Sequence, residues 1–198
     1  VSSADRVVKE IVSAGGKAIA DYSPIEVPGV GDALLDLALE KFGRVDSLIA
    51  NAGVSESGTF RKQTLEKLKL NIDVNLNGTL NTVHPIFRYM CEERSGSIIV
   101  KVSSAGIFGQ MGLPAYSTSK AALIGLTRSL SLEGSSRNVF VNAVSPYAAT
   151  QMTEGHVTSE ALELLSPEYI NSVVGWLMTG GVTGELLIVG GGGIARAK

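Results

Sequence analysis

The sequence predicts an α/β fold in which helices cover both faces of a doubly wound parallel sheet. The first observation is that segments of helical periodicity alternate with short apolar segments along the whole chain. The second is that the short segments are rich in β-branched residues and end in small polar residues, which is typical of buried parallel strands. No linker-like stretch divides the pattern, so we expect residues 1–198 to form one domain.

The boundaries of the elements follow from where each periodic pattern stops. Glycines end the first two helices, because glycine readily adopts the left-handed conformation found just after a helix. The predicted helices are an apolar stripe at 7–12, then 28–43, 65–91, 116–134 and 167–178. The predicted strands are 17–21, 45–50, 98–102, a strand that begins at Val139, and 185–189.

Tyr116 and Lys120 open a helix that is otherwise largely apolar. Helical residues four apart share a face, so the phenol and the ammonium are expected to point in the same direction. An ammonium close to a phenol favours the phenolate and lowers a pKa that is about 10 in water. We therefore predict that Tyr116 gives or takes a proton near neutral pH.

Three other polar motifs accompany this pair. Asn51-Ala52-Gly53 follows one predicted strand, Asn75 lies in the next helix, and Ser103-Ser104 follows the strand at 98–102. Ligands of open α/β sheets bind just outside the carboxyl ends of strands, so the motifs that follow strands are expected at one edge of the sheet. Without Tyr116, the two serines would more simply be interpreted as hydroxyls that satisfy a strand end.

The order of these motifs resembles that of the short-chain dehydrogenase/reductase family over nearly the whole chain. The resemblance implies a Rossmann-type fold and hydride transfer between NAD or NADP, with NAD favoured, and a secondary alcohol or ketone. It also implies that Tyr116 is the acid–base group and that Lys120 holds the nicotinamide ribose. Ser103 would donate a hydrogen bond to the substrate oxygen, and Asn75 would support a water chain to Lys120.

The resemblance implies further contacts with the cofactor. Asp21 would accept a hydrogen bond from the adenine amino group, with Tyr22 beside it, although Asp21 could instead cap the turn before Ser23. The loop at 51–53 would pass under the adenosine ribose through Asn51, Ala52 and Gly53, since glycine permits close approach of the backbone. The residues expected to face the nicotinamide amide and the adjacent phosphate are Pro146, Tyr147, Ala149 and Thr150.

One stretch points to a branch of the family. The segment that starts Ser145-Pro146-Tyr147 lacks the glycine that most members carry after the proline. This segment and the tail at 187–196 resemble the (3R)-hydroxyacyl-CoA dehydrogenase unit of peroxisomal multifunctional β-oxidation enzymes and their bacterial relatives. The branch implies a 3-hydroxyacyl thioester as substrate.

The glycine-rich phosphate turn of such a fold is not found in its expected place. It should follow the first strand and open a helix that holds the pyrophosphate. We expect this N-terminal βαβ portion to be missing from the sequence, before Val1. Two glycine clusters, at 29–31 and 190–193, have the wrong spacing or context and are not expected to hold phosphate.

Composition limits the other possibilities. The chain has 198 residues, of which 44% are hydrophobic, and this suits one domain with a substantial core. A formal net charge of −2 gives no reason to expect nucleic acid or an anionic membrane as a partner. Cys91 is the one cysteine, no signal peptide or transmembrane stretch is visible, and we expect a cytoplasmic protein. No residue cluster has metal-ligand spacing, so no metal is expected.

Two further expectations concern assembly and an alternative function. The helices at 65–91 and 116–134 carry more apolar residues than one sheet face needs, including Ile86, Phe87, Met90, Leu123 and Leu126. With the resemblance, this predicts a homodimer or homotetramer.

The alternative to an enzyme is a catalytically silent relative that keeps the fold for nucleotide binding or assembly. A complete set of Ser103, Tyr116 and Lys120 favours the enzyme.

Overall fold

The computed structural model describes residues 2–148 and 165–197. Its helices are α1 (Ser3–Ser13), α2 (Val30–Phe42), α3 (Leu65–Ile72), α4 (Gly78–Glu93), α5 (Ser104–Phe108), α6 (Pro114–Ser135) and α7 (Glu168–Thr179). Its strands are β1 (Ser47–Ala50), β2 (Gly96–Lys101), β3 (Val139–Pro146), β4 (Leu186–Gly190) and β5 (Gly193–Ala197). A π-helical turn, Asp73–Asn77, joins α3 to α4.

The strands form one sheet in the order β1-β2-β3-β4-β5. The first four are parallel, so their carboxyl ends lie along the same edge. Strand β5 is antiparallel to β4, and the two are joined by Gly191 and Gly192, both with positive φ, as a tight hairpin turn requires. The parallel part of the sheet, with helices between its strands, confirms the predicted fold class.

Buried apolar side chains cover both faces of the sheet. Strand residues alternate between faces, so neighbours in sequence contribute to different halves of the core. The half under α4 and α6 includes Val83, Met90, Ile98, Val100, Leu123 and Val141. The half under α7 includes Ile99, Val144, Val173, Leu177 and Val189. Packing on two faces explains why these strands consist of nearly unbroken apolar runs.

The predicted strand at 17–21 is wrong. This segment forms no strand in the structure, and Ile19 is largely exposed. A strand is defined by hydrogen bonds to a neighbouring strand, and none of the described strands lies beside these residues. The preference of these residues for an extended conformation is not enough to form a strand without a neighbouring strand.

Helix α1 forms as predicted, but its apolar stripe is not buried. Ser2 and Asp5 form a capping box, in which the Asp5 main-chain N–H donates to Ser2 Oγ and the Ser2 N–H donates to the Asp5 carboxylate. Val7, Ile11 and Val12 nevertheless remain exposed. Local sequence therefore determines that this helix forms, and it does not determine what the helix packs against.

Both glycine clusters have structural explanations. A side chain at Gly31 would collide with the Asn81 carbonyl oxygen, so this glycine allows α2 to approach α4 closely. The cluster at 190–193 contains the β4–β5 turn. The residues after this turn form β5.

The apolar surplus expected on the two long helices is mostly absent from the surface. Ile86, Met90 and Leu123 are buried in the core of a single chain, and Phe87 and Leu126 pack against that core. The argument for an oligomer from these five residues is therefore wrong, because one sheet face does cover them.

Candidate active site

Tyr116 and Lys120 lie on one face of α6, as their spacing predicts. The Lys120 ammonium lies 5.6 Å from the centre of the Tyr116 ring. The lysine side chain is only 1% exposed, and its Nζ donates a hydrogen bond of 2.9 Å to the main-chain carbonyl of Lys101. Helix α6 thus presents a buried cation beside a phenol, next to the carboxyl end of β2.

Burial strongly affects the charge on Lys120. Loss of water contact disfavours the ammonium and, together with repulsion from Lys101, lowers the pKa of Lys120 to about 7. Burial also lowers the pKa of Lys101. In the described part of the chain, neither ammonium has a carboxylate partner. Anionic or electron-rich ligand groups would therefore be favoured at this place.

Ser103 connects β2 to this pair. It is the N-cap of α5, where its Oγ accepts a hydrogen bond from the Ala105 main-chain N–H at 3.2 Å. The same hydroxyl lies close enough to the Tyr116 phenol to lower its pKa. The structure therefore brings Ser103, Tyr116 and Lys120 together, although they come from two separate elements.

The expected direction of the Tyr116 pKa is wrong in this structure. Burial raises the pKa of Tyr116 above its usual value, and the nearby Ser103 hydroxyl opposes this only in part. The predicted charge effect of Lys120 is not among the causes. The lysine is only partly protonated near pH 7, so it provides less positive charge to stabilise a phenolate than a fully charged ammonium would.

A glycine lets α5 come close enough to complete the arrangement. A Cβ atom at Gly106 would lie 2.6 Å from the Lys120 carbonyl carbon and 2.7 Å from the Ala121 nitrogen. A Cβ atom essentially never makes contacts this short, so any other residue would push α5 away from α6. Ser103, at the start of α5, would then move relative to Tyr116.

Asn75 is buried in the π-helical turn and binds the loop after β1. Its Nδ2 donates to the carbonyls of Val54 at 2.8 Å and Asn71 at 2.9 Å, and its Oδ1 accepts from the Val54 N–H at 3.2 Å. A side chain at Gly53 would overlap Asn75 Oδ1 and lie 3.8 Å from Lys120 Nζ. Asn75 therefore borders the same space as Lys120, and π-helical turns often occur at functional sites.

The other residues that the sequence predicts to contact the cofactor are mostly exposed. Asn51 and Ala52 are exposed beyond the carboxyl end of β1. Asp21 accepts a hydrogen bond from the Ser23 main-chain N–H at 2.8 Å, which is the turn-capping role considered as its alternative. The Tyr22 hydroxyl donates to Asp5, and this bond raises the Tyr22 pKa.

Pro146 ends β3 and Tyr147 follows it, but Ala149 and Thr150 lie outside the described residues. The Tyr147 hydroxyl forms a 2.7 Å hydrogen bond with Ser104 Oγ. Sequence reasoning missed this pair and also missed Lys101 and Gly106. A lysine within the apolar run 98–102 was a signal that Lys101 is unusual. Nothing in the sequence indicates that Tyr147 reaches Ser104.

Within residues 2–148 and 165–197, no three His, Cys, Asp or Glu side chains form a group that could hold a metal ion. The helices of the same residues include none with the length and apolar character needed to cross a membrane.

A phenol, a hydroxyl and a buried lysine at the carboxyl edge of a doubly wound parallel sheet define a dinucleotide-dependent oxidoreductase of the Rossmann class. Residues 1–161 match the family model described as short chain dehydrogenase. The chain belongs to the short-chain dehydrogenase family, whose members are NAD(P)-dependent oxidoreductases. The family and the class of enzyme predicted from the sequence are thereby confirmed.

Three similar proteins illustrate the match. A crystal structure of a short chain dehydrogenase from Mycobacterium avium superposes with a TM-score of 0.86 and 34% identity, over 100% of this chain and 69% of that one. The peroxisomal hydratase-dehydrogenase-epimerase of Neurospora crassa is 35% identical over 199 residues, which are 99% of this chain and 22% of that protein. The acetoacetyl-CoA reductase of an Acinetobacter species is 37% identical over 173 residues, 81% of this chain and 70% of that protein.

Proposed function

We propose that the protein interconverts a secondary alcohol and a ketone with NAD or NADP, and that its substrates are 3-hydroxyacyl or 3-oxoacyl thioesters. The observation that carries the reaction type is the meeting of the Ser103 hydroxyl, the Tyr116 phenol and the Lys120 ammonium. The substrate class is supported by the names of two relatives, acetoacetyl-CoA reductase and hydratase-dehydrogenase-epimerase. Residues 1–198 would act as one dinucleotide-binding domain.

The three side chains have distinct roles in this proposal. A bound nicotinamide supplies the hydride in reduction and accepts it in oxidation. Ser103 and Tyr116 donate hydrogen bonds to the substrate oxygen, where negative charge develops during reduction. Tyr116 then transfers its proton to that oxygen, and its raised pKa keeps the phenol protonated until then. In oxidation, the proton of the alcohol moves to the Tyr116 oxygen.

The space beside Lys120 fits the ribose end of a dinucleotide. An ammonium has three N–H donors, and one of them is used by the Lys101 carbonyl. The others have no protein acceptor among the described residues and suit ribose hydroxyls. The missing side chain of Gly53 lets Asn75 pack directly against the loop beside Lys120. Asn75, which fixes the loop at 53–54, would hold that loop in place beside the ribose.

A comparison of two tyrosine variants of the natural full-length protein tests this proposal. We expect Tyr116→Phe to lose almost all acetoacetyl-CoA reduction, measured by nicotinamide absorbance, because only the proton-transfer oxygen is removed. Its Kd for the cofactor should stay close to that of the wild type. The control is Tyr169→Phe, on α7 and half-exposed, which should keep full activity.

Lys120→Ala completes the comparison and should weaken both turnover and cofactor binding. Substantial turnover by Tyr116→Phe would overturn the acid–base assignment. Tight cofactor binding by a wild-type protein that reduces no thioester or ketone would instead support the silent alternative.

The preference for NAD, the cytoplasmic location and the homo-oligomer remain proposals. Relative Kd values for NADH and NADPH test the first, and cell fractionation tests the second. The oligomer is supported by large apolar side chains that the described chain leaves exposed, namely Phe108, Met111 and Leu132, the last being 79% exposed on α6. A monomer in sedimentation at micromolar concentration would contradict it.

A further inference from the structure

A line of polar residues follows one side of α3 and continues into the π-helical turn. Successive members are four positions apart, so they share one face, and they are Gln63, Lys67, Asn71 and Asn75. Each of them contacts the loop after β1. Gln63 Nε2 donates to the Glu56 carbonyl at 3.0 Å, and the Lys67 ammonium lies 3.6 Å from the Glu56 carboxylate. This face of the helix therefore binds the loop at 53–56.

Asn71 and Asn75 bind the main chain of the loop from inside the protein. Both are 0% exposed, and each uses both ends of its amide. Asn71 Oδ1 accepts a long hydrogen bond from the Glu56 main-chain N–H at 3.5 Å, and its Nδ2 donates to the Lys67 carbonyl at 3.1 Å. Asn75 binds the N–H and the carbonyl of Val54, two residues before Glu56. Two buried amides thus hold alternate residues of the loop.

The spacing of these contacts matches the geometry of the two segments. Four residues of helix advance about 6 Å and two residues of extended chain about 6.6 Å, so an extended loop beside the helix meets one asparagine per turn. Exposure alternates along the loop as in an extended chain, since Val54 and Glu56 are partly buried whereas Ser55 is exposed. The Ser55 main-chain N–H has no hydrogen-bond partner among the described residues. The helix therefore holds every second residue of the loop.

The same contacts reach the proposed cofactor site. A Cβ atom at Gly53, where the loop begins, would collide with Asn75 Oδ1 and lie 3.8 Å from Lys120 Nζ. The Asn71 carbonyl accepts hydrogen bonds from Asn75 Nδ2 at 2.9 Å and from Ser119 Oγ at 3.4 Å. Ser119 directly precedes Lys120 on α6. Asn71 therefore joins the loop, the π-helical turn and α6 at one buried point.

We propose that Asn71 is a positioning residue for the cofactor, because together with Asn75 it fixes the loop at 53–56 beside Lys120 before the cofactor binds. The inference rests on the proposed function, in which this loop and Lys120 lie beside the ribose. Asn71 contacts neither cofactor nor substrate and acts through the loop. A loop that is already ordered loses little conformational entropy on binding, which strengthens the binding of the cofactor.

Residue-resolved amide exchange of the natural full-length protein without cofactor tests whether the loop is held. We expect the amides of Val54 and Glu56 to be protected and the amide of Ser55 to exchange rapidly. Asn71→Leu removes both side-chain hydrogen bonds at similar volume, and Glu56 should lose its protection in this variant. Equally rapid exchange of all three amides in the wild type would overturn the proposal.

Cofactor affinity tests whether the held loop matters for the site. The measurement is the Kd for NADH or NADPH, whichever the wild type binds more tightly. Asn71→Leu should raise this Kd about tenfold, because the loop must then be ordered on binding. The kcat at saturating cofactor should stay close to that of the wild type, since the side chain of Asn71 has no contact with Ser103 or Tyr116.

The matched control is Thr127→Val on α6. Thr127 is 2% exposed, and its Oγ1 donates to the Leu123 carbonyl at 2.8 Å within the same helix. This variant also loses a buried hydrogen bond, but it leaves the loop at 53–56 untouched. Its melting temperature should fall while its Kd stays unchanged. A merely structural role of Asn71 would give the same result in Asn71→Leu.

The outcomes separate this inference from the proposed function. An unchanged Kd in a folded Asn71→Leu protein overturns the positioning role and leaves the proposed function intact. If Asn71→Leu does not fold, the exchange pattern of the wild type still decides whether the loop is held without cofactor. A wild-type protein that binds neither NADH nor NADPH overturns both.

Discussion

The Lys120 ammonium donates its hydrogen bond to the main-chain carbonyl of Lys101, another lysine whose own side chain is partly buried. The bond fixes the end of the Lys120 side chain against β2, and the charge of Lys101 makes protonation of Lys120 less favourable. Lys101 therefore fixes the position of the proposed ribose-binding group and adds to the effect that burial has on its charge.

The first prediction concerns stability against pH without cofactor. The pKa of Lys120 falls from 10.5 in the unfolded chain to about 7 in the folded one. Between these values the unfolded chain binds a proton that the folded chain does not, so stability rises with pH. This lysine should contribute up to about 1.4 kcal/mol per pH unit in that window. Lys120→Met should remove this contribution, so the free energy of unfolding, measured in urea at pH 7, 8 and 9, should rise less with pH than in the wild type.

Other groups titrate in the same pH range, so the test compares how the free energy of unfolding changes with pH in each variant. Lys62→Met, at an exposed position, is the control and should keep the wild-type slope. Equal slopes for the wild type and Lys120→Met would show that the buried lysine stays protonated in the folded protein.

The second prediction concerns Lys101. Lys101→Met removes the repulsive charge and should raise the pKa of Lys120, while the main-chain carbonyl that accepts its hydrogen bond remains. If protonated Lys120 binds the cofactor better, NADH affinity should decline with pH, and the decline should begin at higher pH in the variant. Fluorescence titration of NADH at several pH values measures this. An unchanged midpoint, with Lys62→Met as reference, would contradict the coupling.

The third prediction concerns Tyr116. Because burial raises its pKa, the phenol should remain protonated at neutral pH and titrate only in alkaline solution. Reduction, which uses the phenol as acid, should depend little on pH around neutrality, whereas oxidation, which uses the phenolate as base, should become faster as pH rises. The difference between ultraviolet titrations of the wild type and Tyr116→Phe isolates this group. A transition below pH 8 would mean that a positive charge outweighs burial.

The fourth prediction concerns the packing of Gly53. In Gly53→Ala the new methyl group would overlap Asn75 Oδ1 and disturb the hydrogen bonds that join Asn75 to Val54. Overpacking of this kind costs about 1–3 kcal/mol, and cofactor affinity should fall because the loop beside Lys120 is displaced. In the control, Gly175→Ala on α7, the added methyl group meets no atom within 4 Å. Helix propensity predicts that this control is neutral or slightly stabilising in thermal unfolding. Equal effects of the two changes would refute the packing argument.

The sequence by itself determined the features that depend on residues a few positions apart. The i, i+4 spacing places Tyr116 and Lys120 on one face of α6, and Gly43 ends α2 in the left-handed conformation. Apolar runs predicted the boundaries of the parallel strands to within two residues, because burial on two faces makes most positions in them apolar. Motif order was enough to identify the family.

Only the tertiary structure decided features in which distant segments compete. The charge of Lys120 argues for a low Tyr116 pKa, but burial lowers the pKa of Lys120 itself and raises that of Tyr116. The strand expected at 17–21 lacks a neighbour, and Tyr147 finds a partner 43 residues away. Desolvation and pairing depend on which atoms surround a group in space. The spacing of residues in the sequence predicts which side chains are neighbours within one helix turn or along one strand. It does not predict which side chains are neighbours across the sheet.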